Sequence, residues 1–587
     1  MQKKLLVTTA LQNTWGKKNN IIFLGNWCEK YDNFKNLGPE NYSVFEYHWD
    51  NRQKLKDDYD YLNKFYKKIF PSLKNELNKI HNTSFSDRYW KIVIGPWLIT
   101  LIQIIFERYS NLKFFFEKNK NYQYETIILK YDKEKYIPKN FEQFSRLMIT
   151  DTWNHYIYSL LMEFVNFNFE IEKNYKEFSD EENYKSYLVE KKLPYKNKLY
   201  NNLAYLFDLI LGKKNILISE SYLGRFQELF FALKFRSLPR YSINDSLKNT
   251  SVGDIRKKIS LEFDVENPFE EFIKKYIFLF LPKSFLEDFT LIDKEVIKMK
   301  WPKKPKIIFS SHFMQKTLQS RYTAFSVEKN KSKLILGQHG GVYGQYLFST
   351  MEDHELEVCD KYLSWGWKLD NPKVIPFGIL KNFKEKKHDP NNEKLLMIFR
   401  SQVKYTHRIN SYTGTNQIKK YFNENLNLYK NLNSDLINKN IILRFHARKF
   451  GWNEDKMFLN NFPNIRIDLG YNEILDLYNK SKLILHTYIG TGYLETLAMN
   501  IPTIIFANTK ECMLKEETLK YLEDLKKVNI FHNSYFSASE FINRNWDNIH
   551  DWWASDIVQN TRKKFCTKYS KINLNKNADL YKIFNEL

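Results

Sequence analysis

Short apolar runs punctuate this chain, and most of them end in serine, threonine or glycine. In the first half, residues 3–10 and 21–25 read as strands closed by small-residue turns. The runs at 215–220 (NILISE), 306–311 (KIIFSS) and 333–338 (KLILGQ) are β-branched and bounded by polar residues or glycine, the pattern of buried strands. The same grammar recurs at 361–365, 394–399, 441–445, 465–469, 482–487 and 503–507, with helical patterns between, as in EILDLYNKS at 473–481. Strands alternating with helices predict parallel sheets covered on both faces. Aromatic residues recur at helical spacing from 50 to 120, and the Lys-, Glu- and Tyr-rich stretch 120–210 is predicted helical as well.

At 587 residues the chain exceeds what one core can organise. We expect an N-terminal α/β domain over 1–360, carrying a helical insertion at 50–210, and a second α/β domain over 361–510. The join falls within 345–395, and the helices of 511–587 are expected to pack back on the first domain. Residues 92–106 form an uncharged run shorter than the roughly 20 residues a membrane span needs. Gly95-Pro96 interrupts it, so a buried core helix is expected there. The apolar run near the N-terminus is too short for a signal-peptide core and reads as a first strand.

Charge narrows the partners. The formal net charge is +23, from 91 Lys and Arg against 68 Asp and Glu. The lysines are scattered with no compact basic block, which speaks against a nucleic-acid partner. The excess suits phosphorylated substrates and peripheral contact with an anionic membrane face. Cys28, Cys359, Cys512 and Cys566 lie far apart with no CxxC pair, so neither a disulfide framework nor a zinc site is indicated. That usage suits a reducing cytoplasm.

Three segments carry candidate chemistry. At 486–506 (HTYIGTGYLETLAMNIPTIIF) an apolar strand runs into a Gly/Thr loop and a helix, whose free N–H groups and dipole form an anion site. Thr487, Gly490, Thr491 and Gly492 would line it, with Glu495 one turn inside the helix, placed for a ribose hydroxyl. At 441–452, Arg444, His446 and Arg448 alternate at strand spacing, which would turn all three to one side at a strand end, suited to a phosphate. At 335–344 a buried strand runs into Gln338-His339-Gly340-Gly341, where the glycines leave the backbone open and His339 stands at the strand tip. Weaker signals are Glu220 after the strand at 215–220, Asp87 and Arg88 ahead of an apolar helix, and Asp151, Asn154 and His155. Glu220 and His339 are the two candidate general bases, and the unperturbed imidazole suits neutral pH better. Asp87, Arg88, Gln338, Gly340 and Gly341 are assigned to the acceptor side.

These residues also carry a resemblance. The series Arg444-Phe445-His446, then Asp468, EILDLY, KLILHT and the helix of Glu495 is similar in layout to the donor domain of GT-B transferases. It resembles the CDP-glycerol and CDP-ribitol polyol-phosphate transferases, and the CMP-Kdo and CMP-sialic-acid transferases. Those families carry a basic-x-His-Pro motif and a Ser/Thr-rich loop around the nucleotide phosphate; here Ala447 stands where the proline is usual. The His339-Gly340 pair is similar to one that supplies a catalytic histidine in the polyol families. Over most of its length, through LLVTTALQNTW, FLGNWC, DRYWKIVIGPWL, GQHGGVYG and the 486–506 block, the chain resembles a family of transferases from bacterial surface-polysaccharide gene clusters.

The resemblance implies a GT-B-like α/β fold, two doubly wound Rossmann-type domains facing across a cleft with helical insertions in the N-terminal half. It implies a cytoplasmic glycosyltransferase of cell-surface polysaccharide biosynthesis, working at the inner face of the membrane. The favoured reaction passes Kdo or a nonulosonic acid from a CMP donor to a glycan or glycolipid acceptor. A CDP-polyol phosphotransferase and a non-catalytic glycan- or lipid-binding protein are the alternatives. With no Asp-x-Asp motif at a strand end, no metal and no other cofactor is expected.

Overall fold

The computed structural model describes residues 3–16, 20–29, 41–120, 123–167, 171–178, 194–211, 216–243, 250–312, 314, 316–386, 389, 391–412 and 414–587. Two compact units emerge. The first holds Met1–Glu220, Glu228–Leu334 and Lys404–Ile409; the second holds Ser221–Gln227, Ile335–Val403 and Asn410–Leu587.

In the first unit, β1 (Lys4–Val7), β2 (Ile21–Phe23), β3 (Tyr42–Val44), β4 (Tyr124–Lys130) and β5 (Ile171–Glu177) form a parallel sheet in the order β3-β2-β1-β4-β5. The stretch expected to be wholly helical therefore contributes two strands. Tyr, Thr and Ile make β4 mostly buried and β-favouring, and β5, an edge strand, exposes Glu172, Lys176 and Glu177 to solvent. A second pair, β6 (Ile216–Ile218) and β7 (Ile307–Ser310), is also parallel.

The helix Asp87–Lys118 is the core helix of this unit. Ser86 caps it, its hydroxyl accepting the Tyr89 N–H at 3.3 Å. The helix runs unbroken through Gly95-Pro96, where an interruption was expected. Proline removes one helical hydrogen bond, and burial on every side holds the helix in spite of it. It is long and apolar enough to cross a membrane, yet 94% of its most apolar stretch is buried inside the protein.

Residues 404–409 fill the carboxyl ends of β1 and β2. The Tyr405 hydroxyl accepts the Ala10 N–H at 3.2 Å and donates to Asp151 at 2.7 Å, and the Lys404 ammonium donates to the Glu29 carbonyl at 2.6 Å. Beneath them, Arg108 pairs with Glu107 and donates to Asn154 and to the Thr406 carbonyl. His155 faces the Ile127 carbonyl through Nε2 and the Tyr131 hydroxyl through Nδ1, and burial pushes its pKa down to about 4. Asp151, Asn154 and His155 thus serve this packed interior, whose strand-end crevice is occupied by the chain itself.

In the second unit, β8 (Lys333–Gly337, its first two residues counted with the first unit), β9 (Lys361–Ser364) and β10 (Val374–Pro376) pair in parallel. A six-stranded parallel sheet follows: β11 (Lys394–Ile398), β12 (Ile441–Arg444), β13 (Ile467–Asp468), β14 (Ser481–His486), β15 (Thr503–Phe506) and β16 (Phe531–His532). Their order is β13-β12-β11-β14-β15-β16. Leu395, Met397, Leu483 and Leu485 bury against helices on one face, and Leu396, Ile398 and Ile484 do so on the other, so apolar runs without alternation are satisfied on both sides. The helices after 510 belong to this unit. The four cysteines are buried, outside any disulfide.

Candidate functional site

Counted from its first strand, the six-stranded sheet runs 3-2-1-4-5-6, so the order reverses between β11 and β14. A doubly wound sheet binds ligands at that reversal, outside the strand carboxyl ends, because the connections on either side leave in opposite directions. Register fixes what lies there: Ile398 of β11 pairs with Arg444 of β12 on one side and His486 of β14 on the other. The residue that emerges beyond the end of β11 is Arg400, which the sequence reasoning missed.

Arg400 is buried, with its guanidinium carbon 4.6 Å from the ring centroids of both Tyr412 and Tyr421. Its backbone N–H donates to the Tyr421 hydroxyl at 3.0 Å. That hydroxyl bonds to Thr487, whose own hydroxyl donates to the Ile398 carbonyl at 2.9 Å. Thr487 is therefore a fastener between β11 and β14, and its oxygen is already occupied.

Beyond Thr487 the chain reaches Gly490 and the helix Thr491–Ala498, which has no side-chain cap. Its first N–H groups lack intrahelical partners, the arrangement that attracts an anion. Gly492 is required by packing, since a Cβ there would lie 2.7 Å from the His486 ring. His486 is fully buried, bonds Thr496 through Nε2 at 3.0 Å, and has its pKa pushed down to about 3 by burial, so it is neutral at working pH. Glu495 is also buried and pairs with Lys381 at 2.6 Å. Lys381 in turn lies 5.8 Å from the Tyr222 ring centroid.

The loop after β8 is locked onto this helix start. The Gly341 N–H donates to the Thr491 hydroxyl at 2.9 Å, the Tyr346 hydroxyl donates to the Ile489 carbonyl at 3.3 Å, and Tyr493 bonds Gln345. Gln338 shapes the loop from within: its amide oxygen accepts from the Trp365 N–H and the Trp367 indole, each at 2.8 Å, and its amide nitrogen donates to the Gly340 carbonyl at 2.7 Å. Val342 holds φ +75°, an uncommon conformation for a β-branched residue, of the kind that clusters at functional loops. His339 is partly exposed, with Nδ1 3.7 Å from the buried Glu355 carboxylate and Nε2 3.4 Å from the Tyr343 hydroxyl. Tyr343 and Tyr362 both donate to Glu355, at 3.3 and 3.1 Å. At 3.7 Å the carboxylate faces the imidazole without hydrogen-bonding it.

The 441–452 segment differs from expectation. β12 ends at Arg444, so strand alternation does not set the directions of His446 and Arg448. Arg444 pairs with Asp468 and donates to the Asn472 carbonyl at 2.9 Å. Burial alone would raise the Asp468 pKa; Arg444 and the N–H groups of Tyr471 and Asn472 bring it below the usual value. His446 and Arg448 are exposed, and His446 Nδ1 accepts the Arg448 N–H at 3.0 Å, which turns the chain. The Ser401 hydroxyl donates to the Arg448 carbonyl at 3.3 Å, so this loop borders the one carrying Arg400.

Glu220, Asp87 and Arg88 belong to the first unit. Glu220 (φ +52°) accepts from Lys316 at 2.6 Å and Ser242 at 3.1 Å. Asp87 is exposed and pairs with Lys74 at 2.7 Å, in the first turn of the helix that Ser86 caps. Arg88 beside it is half-buried. Among the described residues, no cluster of three or more His, Cys, Asp or Glu is placed to hold a metal ion.

A parallel α/β chain with an anion-attracting helix start at its strand-order reversal, bonded to a histidine-bearing glycine loop, has parts that a group-transfer enzyme needs. The model for the LIC12162 family of transferases matches residues 4–584, and the chain belongs to that family. Among curated proteins, none matches it. Solved structures similar to it include a variant of the wall teichoic acid polymerase TagF, at 11% identity over 67% of this chain and 98% of that one, with a TM-score of 0.32. They also include MurG of Acinetobacter baumannii, at 9% identity over 64% and 100% with a TM-score of 0.31. A third is the spinosyn rhamnosyltransferase SpnG with spinosyn aglycone, at 10% identity over 51% and 76% with a TM-score of 0.29.

Proposed function

We propose that the protein is a glycosyltransferase of the GT-B kind, moving a sugar from a nucleotide-activated donor to a glycan or glycolipid acceptor of cell-surface polysaccharide. The observation that carries this reading is the strand-order reversal between β11 and β14, where the buried Arg400 follows the end of β11 and the uncapped helix Thr491–Ala498 follows the end of β14, its paired neighbour. Both favour negative charge, as a departing nucleotide phosphate requires. The family membership supports transfer chemistry.

His339, which faces Glu355, is the base that takes the proton from the acceptor hydroxyl. The donor phosphate is held by Arg400 and the 490–492 loop, with His446 and Arg448 at the exposed flank. A CMP-linked acid sugar, Kdo or a nonulosonic acid, carries one phosphate and one carboxylate and suits two separated basic groups. Charge stabilisation by a guanidinium and a helix start replaces a metal in this scheme, so turnover is expected to persist in EDTA. The site of action is the cytoplasmic face of the membrane.

Titration of the purified chain with CMP, CDP, UDP and GDP tests the reading. CMP or CDP is expected to bind most tightly, and lack of binding by all four would overturn it. Phosphate carried into the product would replace sugar transfer by polyol-phosphate transfer.

A further inference from the structure

The helix Tyr195–Leu211 is amphipathic in the reverse sense from a helix on a water-facing surface. Its inward side carries Asn201, Ala204 and Asp208. Asn201 exchanges two hydrogen bonds with the Tyr241 backbone, at 2.8 and 3.0 Å, and Asp208 pairs with the buried Arg240 guanidinium. Its outward side carries Leu199, Leu203, Leu206 and Ile210, spaced 4, 3 and 4 residues apart, so they form one stripe. Leu203 is 58% exposed and Ile210 82%. Hydrophobic burial cannot have selected that orientation; polar fastening on the inner side holds it.

The charges on this helix are as one-sided as its leucines. Lys196 and Lys198 are exposed in the first turn, and Asp208, its one acid, points inward to Arg240. The outer face is thus apolar and cationic with no carboxylate. In the same unit, Leu229, Phe230 and Leu233 are exposed while Glu228 is buried. A helix of 17 residues spans about 25 Å, short of a bilayer core, and its polar inner side is fixed to the protein.

We propose that this stripe docks the protein flat on an anionic lipid surface, the leucines entering the acyl boundary and the lysines meeting lipid phosphates. The chain's net charge of +23 favours the same partner. The proposal is independent of the nucleotide site, which lies in the other unit.

Co-sedimentation of the full chain with phosphatidylcholine vesicles, with and without phosphatidylglycerol, tests it. Binding is expected only with the anionic lipid, and it should weaken with salt. Leu203→Glu with Leu206→Glu should weaken binding roughly tenfold or more. Lys196→Ala with Lys198→Ala should weaken it several-fold and flatten the salt dependence. Leu209→Gln with Ile210→Gln serves if the first pair perturbs folding, and nucleotide binding should survive in every variant. Undiminished vesicle binding by the leucine variants, or a wild-type dimer that they split, would overturn the proposal.

Discussion

The Gly341 amide donates to the Thr491 hydroxyl at 2.9 Å, and a Cβ on Gly341 would stand 2.4 Å from the Gly490 carbonyl oxygen. The two loops therefore touch backbone to backbone, and the segment carrying His339 cannot move without the helix start it is bonded to.

From this contact, Gly341→Ala should injure more than a methyl group ordinarily does. The obstacle is main chain, which cannot rotate away, so both loops must part. Nucleotide affinity and turnover should fall together, by roughly tenfold or more, as expected when positioning is lost by a fraction of an ångström. Thr491→Val should act more mildly through the orphaned Gly341 N–H, at about 1–3 kcal/mol of stability, and Thr491→Ser should restore it. Isothermal titration with nucleotide, beside thermal melts, separates the two effects.

Arg400 and Arg444 should behave differently although both end neighbouring strands. Arg400→Ala removes the buried cation just past the end of β11. The loss of charged hydrogen bonds worth about 1.5–3 kcal/mol corresponds to roughly ten- to hundredfold weaker nucleotide binding. Arg444→Ala leaves Asp468 without its guanidinium, so the loss should appear as a lower melting temperature. Asp468 has a depressed pKa in the fold, so its stabilisation is present above the unfolded carboxylate value and lost as pH falls through the folded one. The Arg444→Ala deficit should therefore be full at neutral pH and shrink in acid.

How much of this was legible in the sequence can be judged from single residues. Every strand that places the site was visible, because parallel strands buried on both faces are continuous apolar runs. β5 was missed because its lysines and glutamates, solvated on an edge strand, imitate an exposed helix, and β4 because its apolar run sits within a Lys-, Glu- and Tyr-rich stretch. The loop at 486–492 and the His339-Gly340-Gly341 turn were marked by their glycines. Arg400 was not, since nothing in MIFRSQ distinguishes a buried arginine at a strand end from a surface one. Its meaning comes from strand order, a long-range property. The pairings of Arg444 with Asp468 and Glu495 with Lys381 were hidden for the same reason.

His486 should make the protein acid-sensitive. Its folded pKa of about 3 lies below the unfolded value near 6.5, so it binds a proton in the unfolded chain first. That contribution is complete above the unfolded value and lost as pH drops. By pH 5 the loss is about 2 kcal/mol for this residue alone. His486→Gln, which keeps a polar partner for Thr496, should flatten the fall in melting temperature between pH 7 and pH 5. An unchanged acid limb would show that His486 is not its source.

The last prediction concerns which side chain takes the acceptor proton. His339 and Glu220 were equally eligible from position alone, each following a strand. Their surroundings now separate them. Glu220 already accepts from Lys316 at 2.6 Å and Ser242 at 3.1 Å, both at Oε1, so that oxygen is engaged within the fold. His339 is partly exposed, faces Glu355 at 3.7 Å, and stands in the loop bonded to Thr491. A base this close to the donor helix can reach an acceptor hydroxyl there, and the 3.7 Å spacing can tighten when substrate binds. His339→Ala should lower turnover by about two to four powers of ten while nucleotide affinity stays nearly unchanged. Glu355→Gln should lower kcat by a smaller factor at constant KM, since it loosens the imidazole without removing it, and Glu355→Asp should recover part of the loss. Glu220→Ala should cost only a few-fold. Steady-state kinetics on these four variants, with nucleotide titrations alongside, decide the assignment. If Glu220→Ala abolishes turnover and His339→Ala does not, the roles are reversed; if His339→Ala chiefly loses nucleotide affinity, His339 is a donor ligand.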